Sequence, residues 1–337
     1  MKAYLFERLD DDKVRCNLCN HRCEIKPGKR GICGVRENQN SELHTLVYGR
    51  LIAGHVDPIE KKPLYHLKPG SLSYSIATVG CNFKCKFCQN ADIAQLPADQ
   101  KGRIVGETVA PEAVVADARR KQCTTIAYTY TEPTVFFEFA HDTARLAHEQ
   151  GIRNVFVSNG YMTPEALDMI SPYLDAANVD LKAFTNDYYR KLCGAKLAPV
   201  KNTLIKMKRL GIWVEVTTLV IPGLNDSPGE LRGLAKFVAN ELGPETPWHV
   251  SRFHPTYKLT DHPPTPVETL LTARKIGIDA GLRYVYTGNI PGQGGENTVC
   301  YNCGELLIDR WGFQVRQNKV RSSKCSHCGV AIHGVEL

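Results

Sequence analysis

No stretch of the 337 residues approaches the roughly 18 uninterrupted apolar residues that a membrane-spanning helix needs. The start, Met1 to Asp12, lacks the apolar run of a secretory leader, because Lys2, Glu7, Arg8 and three aspartates interrupt it. Both absences point to a soluble, unexported, cytoplasmic protein with no membrane partner. Internal repeats and low-complexity tracts are lacking as well, so neither a solenoid nor a long linker is expected. A decisive surplus of one charge is also missing. The formal +7 counts every cysteine as neutral, whereas a metal-bound thiol is deprotonated, and three filled metal sites bring the balance to about +2. That gives no support to a nucleic-acid partner.

Cysteine, by contrast, is plentiful. There are thirteen, an odd number that disfavours a pure disulfide framework. Eleven fall into three clusters: Cys16, Cys19, Cys23 and Cys33; Cys81, Cys85 and Cys88; Cys300, Cys303, Cys325 and Cys328. In a reducing compartment such clusters read as metal ligands. Cys123 and Cys193 stand apart and fit apolar or surface positions, with a catalytic thiol at either as the lesser alternative.

From Ser71 to Thr287, short β-like runs alternate with helical segments, the pattern of parallel β/α architecture. The runs are 72–79, 124–130, 153–158, 178–181, 213–221, 249–253 and 283–286. Helices are expected over 111–121, 134–149, 164–170, 200–210, 227–241 and 266–280. Phe136, Phe139, Ala140, Thr143, Leu146 and Ala147 carry the spacing of a buried helical stripe. Periodicity alone does not choose between a barrel and a doubly wound sheet. Residues 1–70 and 291–337 lack this rhythm and read as small Cys-rich, metal-stapled attachments to a 71–290 core. The second of them opens with the Gly-rich run Pro291 to Gly295.

Gly80-Cys81-Asn-Phe-Lys-Cys85-Lys-Phe-Cys88-Gln-Asn90 directly follows the first core strand. Three thiolates so close together can bind three corners of a cubane and leave the fourth iron open to an outside ligand. A zinc site completed by a distant fourth ligand is the alternative. The loop's place at a strand's C-terminal end, where barrel enzymes keep their chemistry, favours the cubane.

This Cys-x3-Cys-x2-Cys loop resembles the radical S-adenosylmethionine (SAM) superfamily. Asp180-Leu-Lys-Ala-Phe184, Val216 to Ser227 and Ser251-Arg-Phe-His-Pro255 resemble the branch that contains the pyruvate formate-lyase activating enzyme. With the flanking cysteine sets, the chain is similar to the AmmeMemoRadiSam-system enzymes. The resemblance implies a partial (β/α)6 TIM-like barrel, a [4Fe-4S] cluster on Cys81, Cys85 and Cys88, and SAM chelated to the open iron. It also implies reductive cleavage of SAM to a 5′-deoxyadenosyl radical that abstracts hydrogen, fed by an electron donor such as flavodoxin or ferredoxin.

SAM contacts follow from the same resemblance. Glu132, in Tyr130-Thr-Glu-Pro133, stands where the family has Gly-Gly-Glu and would accept from the methionyl ammonium; Tyr130 and Thr131 replace both glycines. A carboxylate favoured at a helix N-terminus is its alternative reading. Lys182 would meet the SAM carboxylate with Asp180 fixing it, and an ordinary strand-end ion pair is the alternative. Ser158 and Asn159, in a Ser-Asn-Gly resembling Thr-Asn-Gly, would lie near the ribose. Val157 replaces an aspartate that helps bind a monovalent cation in the activating enzymes, so that cation site is not expected. His254 matches a histidine near the ribose and could equally be structural; His249 is a weaker candidate. Val220 to Gly223 resembles the adenine-contacting strand end.

The C-terminal knuckles, Cys300-x2-Cys303 and Cys325-x2-Cys328, each followed by glycine, form a zinc-ribbon pattern, with a redox cluster as the alternative. The N-terminal set, Cys16, Cys19, Cys23 and Cys33, is unevenly spaced and fits zinc or an auxiliary iron–sulfur cluster, with the reading leaning to zinc. His21 is a possible substitute for one of its thiolates. Three functions are weighed: a protein-modifying activase of the glycyl-radical type, a radical enzyme acting on a small molecule with Memo-like and AMMECR-like partners, and a zinc-ribbon nucleic-acid module. The last leaves Cys81, Cys85, Cys88 and Glu132 unexplained.

Overall fold

The alternating runs assemble into one eight-stranded sheet. The computed structural model describes residues 1–290 and 292–337, so Pro291, the first residue of the Gly-rich run, lies outside the described residues. The strands are β1 (Ala53–Pro58), β2 (Leu72–Ala77), β3 (Thr125–Tyr128), β4 (Arg153–Ser158), β5 (Ala176–Asp180), β6 (Trp213–Val220), β7 (Trp248–Arg252) and β8 (Val285–Gly288). They lie side by side in chain order, β2 to β8 parallel and β1 antiparallel to β2 at one edge. All seven expected runs are parallel strands. The two edge strands do not pair with each other among the described residues, so the barrel stays open.

Six helices return the chain between parallel strands: α1 (Pro111–Arg120), α2 (Phe137–Glu149), α3 (Pro164–Ile170), α4 (Leu197–Arg209), α5 (Pro228–Phe237) and α6 (Val267–Asp279). Their ends carry local signals. Thr163 and Ser227 cap α3 and α5 by accepting from Ala166 N and Glu230 N. Phe136, Phe139, Ala140, Thr143 and Ala147 are buried, as the stripe on α2 requires. Strand β3 is buried along its whole length, which a parallel sheet covered by helices demands.

The flanks pack onto this frame. A three-stranded antiparallel sheet (Phe6–Arg8, Val14–Cys16, Glu24–Ile25) and a hairpin (Arg36–Gln39, Glu42–Thr45) place Val14, Ile25, Val35 and Leu43 in the same core as the barrel. The C-terminal sheet (Thr298–Val299, Leu306–Trp311, Gln314–Asn318) buries Leu307, Ile308, Val320 and Ile332 with Tyr65, Tyr284 and Tyr286 in a second cluster. No helix among the described residues is long and apolar enough to cross a membrane.

Candidate active site at the barrel mouth

The C-terminal ends of the parallel strands surround a cavity of about 720 Å³, and Cys81, Cys85 and Cys88 all line it. Their loop leaves β2 through Gly80, whose φ of +102° is the kind that glycine adopts freely. Neighbouring backbone and one side chain pin the loop: Lys84 N donates to Cys193 O at 2.8 Å, Lys86 N to Leu192 O at 3.0 Å, and the Gln95 side chain, through Nε2, to Phe83 O at 2.9 Å. Burial raises the Cys81 thiol and pushes that of Cys88 to about 11, so these sulfurs ionise readily only beside a cation. Three such donors fit an iron–sulfur cluster.

Glu132 follows β3 on the same wall. Its Oε1 accepts from Thr134 N at 3.1 Å, Thr134 Oγ1 at 2.5 Å and Ser158 Oγ at 2.8 Å, and its Oε2 accepts from Asn159 N at 2.7 Å. Burial still pushes the carboxyl above its usual range, an environment that welcomes a cationic ligand group. Asn159 Nδ2 donates to Asn82 Oδ1 at 2.7 Å and stands 3.8 Å from Cys81 Sγ. The structure thus links Glu132, Ser158 and Asn159 to one another and to the cysteine loop.

Asp180 ends β5, and Lys182 lies two residues on; both line the cavity, with Lys182 Nζ 2.7 Å from Asp180 Oδ2. Burial opposes the Lys182 charge, but the Asp180 carboxylate outweighs it and holds the ammonium well above its usual range. His249 also lines the cavity, with Nε2 2.7 Å from Glu215 Oε2. His254 is exposed and lies outside the lining, because Phe253 takes the buried position after β7.

Several lining residues carry no motif in the sequence. Glu60, Lys62 and Tyr65 come from the segment before β2, and Gly312 and Phe313 from the C-terminal hairpin. Lys62 Nζ donates to Asp57 Oδ2 at 2.6 Å and sits 4.6 Å from the Tyr130 ring centroid, while the Tyr130 hydroxyl also donates to Asp57. Burial lowers the Lys62 ammonium to about 8. Tyr130 holds a φ of +60°, a left-handed conformation that costs a non-glycine residue about 1–3 kcal/mol. That is the position where the resembling motif has glycine.

The outer cysteine sets differ in geometry. The Sγ atoms of Cys300, Cys303, Cys325 and Cys328 all lie within 4.8 Å of one another, the 300–328 and 303–325 pairs at 3.7 and 3.8 Å. Gly304 and Gly329 close the two knuckles at φ +77° and +72°. Cys16, Cys19, Cys23 and Cys33 line a separate small cavity next to the Cys81 loop.

Residues 75–237, from within β2 to the end of α5, match the Radical SAM superfamily model; the chain carries a radical SAM domain on a radical SAM α/β fold. It belongs to one family with the Methanocaldococcus jannaschii protein named "Uncharacterized protein MJ0808", being 49% identical to it over 333 residues that cover 98% of each chain. The pyruvate formate-lyase-activating enzyme of Clostridium pasteurianum is 24% identical over 166 residues, 48% of this chain and 67% of that one. In fold, the chain is similar to Streptococcus suis SuiB bound to S-adenosylmethionine, with a TM-score of 0.52 at 12% identity, covering 68% of this chain and 53% of that one. A domain of this class implies a [4Fe-4S] cluster and SAM.

Proposed function

We propose that this chain is an activating-enzyme-like radical SAM oxidoreductase, with the cluster on Cys81, Cys85 and Cys88. When bound, cluster and SAM supply reductive cleavage of the sulfonium to methionine and a 5′-deoxyadenosyl radical that abstracts hydrogen from a substrate. The chain's own residues bind and orient. Glu132 accepts from the methionyl ammonium, a charge-assisted bond strengthened by burial. Lys182 meets the carboxylate, and Asp180 fixes Lys182. Ser158 and Asn159 hold Glu132 in place and border the ribose. His254, outside the lining, takes no part in this reading.

One observation carries it: three thiols, one buried carboxylate and one ion pair, from three separate strand ends, share a single cavity. The test is anaerobic reconstitution, reduction and addition of SAM. Methionine and 5′-deoxyadenosine are expected, with none from Cys85→Ala; equal product from that variant overturns the assignment. The electron is drawn from flavodoxin or ferredoxin in this reading. A low-potential small-molecule reductant replaces that donor in the assay.

The activating-enzyme relatives favour a protein substrate carrying the hydrogen donor. A cavity of about 720 Å³ with walls from both flanks favours the second reading, a small molecule handled with Memo-like and AMMECR-like partners as in the AmmeMemoRadiSam system. Deuterium transfer into 5′-deoxyadenosine from labelled proteins or labelled metabolites separates the two. At the C-terminal set the proposed metal is Zn²⁺, since four sulfurs about 2.3 Å from one tetrahedral ion stand about 3.8 Å apart.

A further inference from the structure

The three cysteine sets differ in how far apart they hold their sulfurs. Among the described residues, the C-terminal set is the one group of three or more potential ligands whose donor atoms all fall within 4.8 Å of each other. No three of Cys16, Cys19, Cys23, Cys33 and His21 satisfy that limit, and neither do Cys81, Cys85 and Cys88. A single tetrahedral ion draws its sulfurs together. A cubane spreads them, because each thiolate hangs outward from its own iron at a separate corner. By this measure the N-terminal set sides with the Cys81 loop and against the C-terminal knuckles, although the reading of the sequence leans to zinc there.

The surroundings suit an anionic metal–thiolate occupant. All four N-terminal thiols line one cavity, together with Arg36 and Asn82. Arg36 Nε and Asn82 Nδ2 are buried donors without a hydrogen-bond partner among the described residues. Four thiolates on a [4Fe-4S]²⁺ core leave a charge of about −2 spread over many sulfur acceptors, which suits two unpartnered donors.

The cavity also abuts the SAM-site loop. His21 Nε2 stands 2.8 Å from Asn82 O, so Nε2 carries the hydrogen and donates to the residue after Cys81. A Cβ at Gly80 would lie 2.6 Å from Val35 Cγ1 and 3.3 Å from Cys33 O. Glycine at that position therefore lets the N-terminal loop lie directly against the residue before Cys81.

We infer that Cys16, Cys19, Cys23 and Cys33 hold a second iron–sulfur cubane, saturated by protein thiolates and seated against the loop of Cys81. The spacing comparison rests on reading Cys81, Cys85 and Cys88 as cubane ligands; the test below does not. When filled, a cubane with no open iron supplies one-electron exchange alone, gaining an electron from a low-potential one-electron donor protein and releasing it without making or breaking a bond.

The full chain with Cys81, Cys85 and Cys88 all replaced by alanine isolates this site. After anaerobic reconstitution with iron and sulfide, it is expected to hold about four irons and about four sulfides, against about eight of each in the unaltered chain. Its reduced EPR signal should not respond to SAM. Adding Cys16→Ala and Cys33→Ala should remove that iron. A triple variant that binds zinc at the N-terminal set and no iron overturns the inference. Anomalous scattering from crystals of the unaltered chain decides independently of the variants' folding: a peak beside Cys16 at the iron edge supports the second cubane, and a peak at the zinc edge alone overturns it. Failure of SAM cleavage in the unaltered chain, with the triple variant still holding iron, would count against the proposed function and leave the second cluster standing.

Discussion

Lys182 Nζ donates to Asp180 Oδ2 at 2.7 Å, and both side chains face the cavity that holds Cys81, Cys85 and Cys88. The pair fixes one ammonium in the cavity wall. A hydrogen bond to a charged group is worth about 1.5–3 kcal/mol, or roughly a tenfold to hundredfold change in affinity. Lys182→Met should weaken SAM binding by that factor, read from the SAM-induced change in the reduced cluster's EPR spectrum. Asp180→Asn keeps the ammonium and should weaken binding less. SAM affinity unchanged in Lys182→Met would remove Lys182 from the site.

His66 ties three parts of the chain together and predicts a dependence on pH. Its Nδ1 pairs with His333 O and its Nε2 with the Tyr286 hydroxyl, each at 2.6 Å. Burial lowers its pKa from the ordinary 6.5 to about 4, against the opposing pull of Glu215. The unfolded chain therefore takes up the proton first as pH falls. The stabilisation is complete above pH 6.5 and is lost progressively toward pH 4, amounting to about 3 kcal/mol in all. His66→Gln should melt below the unaltered chain at pH 7.5, with the gap narrowing by about 2 kcal/mol at about pH 5. A gap that does not change with pH would show that His66 does not titrate on unfolding.

The sequence exposes the barrel because β/α periodicity is local: runs such as 153–158 and helices such as 164–170 declare themselves within a few residues. Strand β1 stays hidden, since Ala-Gly-His-Val-Asp-Pro mixes glycine, proline and acid and owes its conformation to pairing with β2. The π-helical stretches Tyr189–Cys193 and Val238–Leu242 likewise have no local signature. At the site, residues carried by a motif were legible, and those supplied by tertiary approach were not. Lys62, Tyr65 and Phe313 reach the cavity from segments without periodicity. A clue was present in the run Pro58-Ile-Glu-Lys-Lys-Pro63, charged residues set among apolar ones, but nothing in it names a partner.

Arg36 and Glu138 form a second testable link between flank and barrel. Arg36 Nη1 and Nη2 donate to the two Glu138 oxygens at 2.9 and 2.6 Å, and Tyr4 N donates to Oε1 at 3.0 Å. Both side chains are essentially closed to water, at 2% and 0% exposure. Removing one partner of such a pair leaves a buried, uncompensated charge and costs about 3–5 kcal/mol. Glu138→Ala should lower the melting temperature sharply, while Glu149→Ala, on the same helix but exposed, should change it little. Equal melting of the two variants would refute the burial argument.

The C-terminal knuckles join a small sheet to the rest of the chain. Their sheet buries few apolar side chains of its own, and its cluster is completed by Tyr65, Tyr284 and Tyr286 from elsewhere in the chain. In the proposed reading a metal holds its turns, and binding energy then serves as folding energy. The same segment supplies Gly312 and Phe313 to the cavity wall, so its loss should be felt there as well. Cys328→Ala should lose one zinc per chain, become open to proteolysis after residue 297 and melt at lower temperature. It should retain the iron of the Cys81 site and SAM-dependent 5′-deoxyadenosine formation at reduced yield. Full zinc content with unaltered melting would show that Cys328 is not a ligand, and loss of iron in place of zinc would assign the knuckles to a cluster instead.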